Sequence, residues 1–220
     1  MKSGVKKIIL CGLVLLVAAG LFFAIRLLTL PRLDPGYTYN GHEYGFLSDK
    51  YGTSPNHLEA KKDKAVARFY DAVIYTLKDD PDEFYLSPRV FLAHLPYNVL
   101  VRLDMIGLPT EENVDHIEIG IPREGDTEWI APDRSVQNAL LEAYAGSTVD
   151  AKKYGSTNLL AAKEKWQAEP GCEVFDVRFW FKKPDDLFYK LVVVKRGEEY
   201  FLLLEDGSTL IGLEGDLLRQ

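Results

Sequence analysis

The sequence predicts an α+β fold: a curved antiparallel sheet of about six or seven strands with two or three helices packed on it, preceded by an N-terminal transmembrane helix. Three observations point there. An unbroken apolar run opens the chain behind three lysines, apolar residues between 66 and 77 recur at helical spacing, and the last quarter alternates in strand period between explicit turns.

Lys2, Lys6 and Lys7 stand in front of the run from Ile8 to Ile25. Residues 8–25, rising about 1.5 Å each, make a helix of roughly 27 Å, close to the hydrocarbon thickness of a bilayer. Val17-Ala18-Ala19 offers a small-residue cleavage site. Cleavage there would leave Gly20 to Ile25, then Leu27, Leu28 and Leu30, as an exposed apolar tail, so a retained signal anchor is expected, with residues 8–30 contacting the membrane. Lysines before the run, against only Arg26 and Arg32 soon after it, put the N-terminus in the cytoplasm and the remainder outside it. Gly12, Gly20 and Ala24 share one helical stripe, which either lets a second copy approach or simply faces lipid.

Residues 1–30, the cytoplasmic lysines and the anchor, contain none of the 33 acidic residues and four of the 26 basic ones, so the remainder carries −11 against −7 for the whole chain. That balance excludes nucleic acid as a partner, since phosphates demand a basic surface. Cys172 is the only cysteine outside the apolar run, so no disulfide forms within the exported part and a core alone must hold it.

Residues 31–55 read as a juxtamembrane arm rich in tyrosine and glycine, without helical or alternating period. Tyr37, Tyr39 and Tyr44 in this arm form either a recognition surface, because tyrosine offers wide contact with few rotatable bonds, or pins that hold the arm to its own domain. Residues 56–220 read as one α+β domain. Val66, Phe69, Tyr70, Val73, Ile74 and Leu77 fall at i, i+3, i+4, i+7, i+8 and i+11, which predicts a helix over 57–78. Strands follow at 99–103, 114–121 and 128–131. Asp133 or Ser135 caps a helix over 135–145 closed by Gly146, and a further helix around 159–166 stops at Pro170-Gly171.

From residue 175 onward a β-meander is explicit. Phe175, Val177, Phe179 and Phe181 alternate with Asp176, Arg178, Trp180 and Lys182. Turns at Lys183-Pro184-Asp185-Asp186, Arg196-Gly197-Glu198 and Asp206-Gly207 separate strands at 187–194, 200–204 and 209–213.

Chemical motifs are sparse. Gly-x-Gly-x-x-Gly, Walker, Gly-x-Ser-x-Gly and calcium-loop patterns are absent, and no cofactor is expected. His116 and Glu118 project from one face of one strand and are the nearest approach to a metal pair, yet zinc needs three or four ligands and no second pair is identifiable. Arg178 and Trp180 share the mixed face of the first meander strand, where an uncovered tryptophan suits contact with a ligand or partner. The function expected is a membrane-anchored extracytoplasmic module that binds a protein or small ligand without catalysis. The alternatives are an anchored hydrolase with residues dispersed along the chain, or an assembly subunit associating through its transmembrane helix.

Overall fold

The computed structural model of the chain describes residues 2–32, 38–46, 50–53, 62–69, 72–90, 99–147, 156–214 and 217. Close contacts divide the chain into two compact units, Met1–Tyr44 with Lys61–Leu100 and Gly45–Ala60 with Val101–Gln220.

The first unit begins with α1 (Lys2–Leu28), the helix that the lysines and apolar run predict. Leu13, Val14, Leu15 and Leu16 are consecutive and all exposed, so apolar side chains surround it rather than forming one stripe. The described side chains of α1 begin at Gly12 and include only part of the run that starts at Ile8. Among the described residues no helix is long and apolar enough to cross a membrane.

Beyond α1, β1 (Thr38–Tyr39) and β2 (His42–Phe46) form a hairpin around Asn40 and Gly41, whose φ angles of 49° and 81° suit an Asn-Gly turn. The arm is therefore not wholly irregular: it also contains β3 (Tyr51–Thr53), which belongs to the second unit.

The expected helix over 57–78 is not formed. Its described part is β4 (Lys62–Phe69) and β5 (Ala72–Leu77), antiparallel with Phe69 opposite Ala72. Spacing of i, i+3, i+4 also fits a hairpin in which one strand is apolar on both faces, and the β-branched and aromatic content of Val73-Ile74-Tyr75-Thr76 tips the balance to strand. Five of the six residues of β5 are buried, which makes a continuous apolar run rather than a stripe. With β6 (Tyr85–Val90) and β7 (Leu100–Arg102) these strands build a curved antiparallel sheet in the order β1-β2-β7-β6-β5-β4. Tyr44, Ala67, Ile74, Leu86 and Leu100 form its core.

A seven-stranded sheet makes up most of the second unit, so the single sheet expected is two. After a 3-10 turn at Leu103–Met105 come β8 (Val114–Arg123), β9 (Asp126–Ile130), α2 (Arg134–Ala145) and α3 (Ser156–Ala168). The meander follows as β10 (Cys172–Phe181), β11 (Leu187–Arg196), β12 (Glu199–Leu203) and β13 (Leu210–Leu213). The order is β13-β12-β11-β10-β8-β9, and β3 pairs the first half of β11 where β12 pairs the second.

Alternation along β10 decides what each face meets. Phe175, Val177, Phe179 and Phe181 join Ile117, Ile119, Leu191 and Val193 in the main core, beneath Leu140, Leu141 and Tyr144 of α2. On the opposite face Val174, Val192, Val194 and Leu203 pack under Leu159 and Ala162 of α3. α2 starts at an N-cap, since the Asp133 carboxylate accepts from the Val136 amide at 3.0 Å. α3 is seated by Gly207, where a Cβ would stand 2.5 Å from the Asn158 carbonyl oxygen.

Candidate functional site

α3 covers only the start of β10 on its face of the sheet, with Lys163 of the helix gripping Asp176 at 2.7 Å and 2.8 Å. Further along β10 the same face holds Arg178 and Trp180, and strand register brings their neighbours to them. One row runs Gly52, Phe188, Trp180, His116, and the next runs Lys190, Arg178, Glu118. A third places Trp129 of β9 beside Gly120.

These side chains lock together. The Trp180 indole stacks on His116 with ring centroids 5.8 Å apart and an interplanar angle of 11°, and tilts against Phe188 at 4.7 Å. Its Nε1 donates to Glu118 Oε2 at 2.7 Å. Arg178 lies 3.3 Å over the Trp129 ring and 4.6 Å over Phe188, with its guanidinium 3.8 Å from the same Glu118 oxygen. Burial lowers the Arg178 pKa from its ordinary value, and the negative charges of Glu118 and Asp176 oppose that shift.

Two glycines make room for the rings. A Cβ on Gly52 would fall 2.3 Å from Phe188, and one on Gly120 would fall 3.0 Å from Trp129. The outer edge of each aromatic ring therefore reaches over a neighbouring strand at a residue without a side chain. The result is a half-exposed shelf of two indoles and a guanidinium over the buried Phe188 ring, tied together by the Trp180–Glu118 hydrogen bond and by the stacking of Arg178.

No family model, curated protein or solved structure matches this chain. The site is therefore argued from its own chemistry. Arg178, Trp180, His116 and Glu118, all singled out by the sequence, come together on this shelf. Trp129 and Phe188 complete it and escape sequence reading, because they reach it only through cross-strand register.

As a metal pair His116 and Glu118 are spent: one is hydrogen-bonded to Asp115, and the other accepts from Trp180 and forms an ion pair with Arg178. Among the described residues no group of three or more histidines, cysteines or carboxylates is placed to hold a metal ion.

Of the arm tyrosines, Tyr39 and Tyr44 belong to the first unit, whereas the shelf belongs to the second. Tyr44 is 1% exposed and donates its hydroxyl to the Glu83 carbonyl at 2.7 Å, which makes it a pin rather than a contact for partners. Tyr39 packs beside it at 6.3 Å, and its pKa is raised by burial and by the charge of Glu83. Tyr37 falls outside the described residues. On α1, Gly12 and Gly20 have open space where a Cβ would stand, and Ala24 is exposed.

At the edge of the shelf β8 carries a bulge. His116 opposes Trp180 and Val114 opposes Phe181, which leaves Asp115 as the extra residue. Both Asp115 and His116 consequently turn outward, and Asp115 Oδ2 lies 2.9 Å from His116 Nδ1. A carboxylate only accepts, so Nδ1 holds the proton and Nε2 of a neutral ring is the open acceptor. Beside this pair a cleft of about 510 Å³ opens between the bulge and α2, floored by Val114 and Leu141.

A second polar group sits deep in the main core. Glu205 is 1% exposed, and the hydroxyls of Tyr144 and Tyr189 both donate to its Oε1. Burial raises the pKa of both tyrosines well above the ordinary value, and pushes Tyr51 up to about 12 with help from the charge of Glu205.

Proposed function

We propose that this chain is a membrane-anchored extracytoplasmic binding module without catalytic activity, and that the shelf of Trp129, Arg178 and Trp180, backed by the buried Phe188, is its contact face. The observation that supports it most is the preorganised stack on Arg178. Tryptophan and arginine concentrate binding energy at interfaces, and here their rotamers are already set before a partner arrives. The anchor rests on α1, a 27-residue helix whose exposed side chains Leu13 to Val17, Leu21, Phe22 and Ile25 need an apolar surrounding. Lysines ahead of it favour export of both units.

The test places a photo-crosslinking phenylalanine analogue at Trp129 in the full chain, with the same label at Leu160 as control, since Leu160 is 58% exposed on α3 and takes no part in the shelf. The expected result is a discrete adduct in intact membranes from position 129 that is absent from position 160 and disappears with Arg178→Ala. Equal labelling from both positions would reject the contact face.

A hydrolytic reading has one observation in its favour, the Asp115–His116 pair at the mouth of a cleft. No serine, threonine or cysteine lines that cleft among the described residues, so the nucleophile would be water. Association through the span, with Gly12, Gly20 and Ala24 facing a second copy, is supported by the open space over both glycines.

A further inference from the structure

The cleft beside the β8 bulge has two chemically different walls. From α2 come Arg134 and Asn138, one turn apart on the helix, while the opposite wall presents Glu111, Asp115, His116 and Lys182. Two of these groups are already occupied. Asp115 is spent on His116, and Lys182 Nζ is tethered to the carbonyls of Glu111 and Glu112 at 3.3 Å and 2.7 Å.

Arg134, Asn138 and Glu111 are not occupied. Their side chains have no hydrogen-bond or ion-pair partner among the described residues, so the guanidinium and the carboxylate that line this cleft do not pair with each other. Opposite charges held apart across an open cleft are complementary to a molecule that carries both. We infer that this cleft binds a small zwitterion with a carboxylate and an ammonium group a few bonds apart, of the free amino acid class. Its carboxylate pairs with Arg134 and Asn138, and its ammonium pairs with Glu111 and the open Nε2 of His116.

Size and rigidity agree with that class. A volume of about 510 Å³ lies within the range of roughly 300–1,000 Å³ that small-ligand sites occupy. Gln137 fixes one wall to the other, since its Oε1 accepts from the Ile117 amide at 3.0 Å and its Nε2 donates to the Pro132 carbonyl at 2.8 Å. The inference extends the binding reading to a second, smaller ligand and can fail without it, because neither Arg134 nor Glu111 belongs to the shelf.

The experiment is calorimetric titration of the detergent-solubilised full chain with the free amino acids, their N-acetyl derivatives and their amides. At least one free amino acid is expected to bind saturably, and both of its blocked forms about tenfold or more weaker. Arg134→Ala is expected to weaken the free amino acid at least tenfold but leave its amide unchanged, and Glu111→Gln to do the same with the N-acetyl derivative as the unchanged arm. Both positions are exposed, so the melting temperature of the unliganded variants should stay at the parent value. Absence of binding by every free amino acid, or equal binding of free and blocked forms, would overturn the inference. Persistence of the Trp129 adduct in Arg134→Ala would show that the contact face stands regardless.

Discussion

At the scale of single residues, the sharpest physical statement concerns the tyrosines around Glu205. Their folded pKa values lie above the ordinary value of 10.0, with Tyr51 at about 12 and Tyr144 and Tyr189 higher still, because burial and a neighbouring carboxylate penalise the phenolate. The fold therefore prefers their protonated form. Its stabilisation is complete below about pH 10 and is lost as pH rises from there through 12, at about 1.4 kcal/mol per pH unit for each tyrosine. An alkaline titration followed by tyrosinate absorbance should show these three ionising only together with unfolding, after exposed tyrosines have titrated. A single transition near the ordinary value for all 12 tyrosines would contradict it. Residue identity alone does not disclose this cluster, since Tyr51, Tyr144, Tyr189 and Glu205 are separated by long stretches of chain and meet only in the packed core. Arg178 and Trp180 were legible for the opposite reason: they are two apart on one strand, and period-two alternation states their common face directly.

At the scale of elements, legibility followed how many local signals agreed. α2 has a capping aspartate, an apolar stripe and a closing glycine, and it forms within one residue of its expected start. The meander strands have alternation and turns, and all four form. Where signals conflicted the reading failed. The segment 62–77 satisfies both periods, and only its β-branched content separates them; β6 contains Pro88, which hides a strand. Asn40-Gly41 was a hairpin signal in plain view, but it sits among prolines and glycines that suggest irregular chain. Even a correct turn residue can serve a different turn. Asp206-Gly207 joins β12 to β13 through a longer loop in which Asp206 accepts from Ser208 and Thr209, and Gly207 has a φ of 71°. Gly207→Ala combines that left-handed backbone with a Cβ against Asn158, so it should destabilise the second unit by about 1–3 kcal/mol and loosen α3. Urea unfolding, followed by the fluorescence of Trp166 on α3, is the check; an unchanged midpoint would mean that α3 is not seated on this loop.

At the scale of the whole molecule, an acidic charge balance beyond residue 30, a helix with apolar side chains on every side and an aromatic shelf combine in the proposal of a tethered module that presents a prepared surface outside the cytoplasm. The long apolar helix was the most legible feature of the chain, because a hydrophobic run needs no tertiary information to be read. The shelf was half legible, since two of its strands had to be found by register. The account depends most on the side of the membrane that residues 40–220 occupy. Protease added to sealed right-side-out vesicles containing the full chain should digest residues 40–220 and leave a stub that resists extraction at alkaline pH. Full protection of residues 40–220 in those vesicles, or release of the intact chain by the alkaline wash, would contradict it.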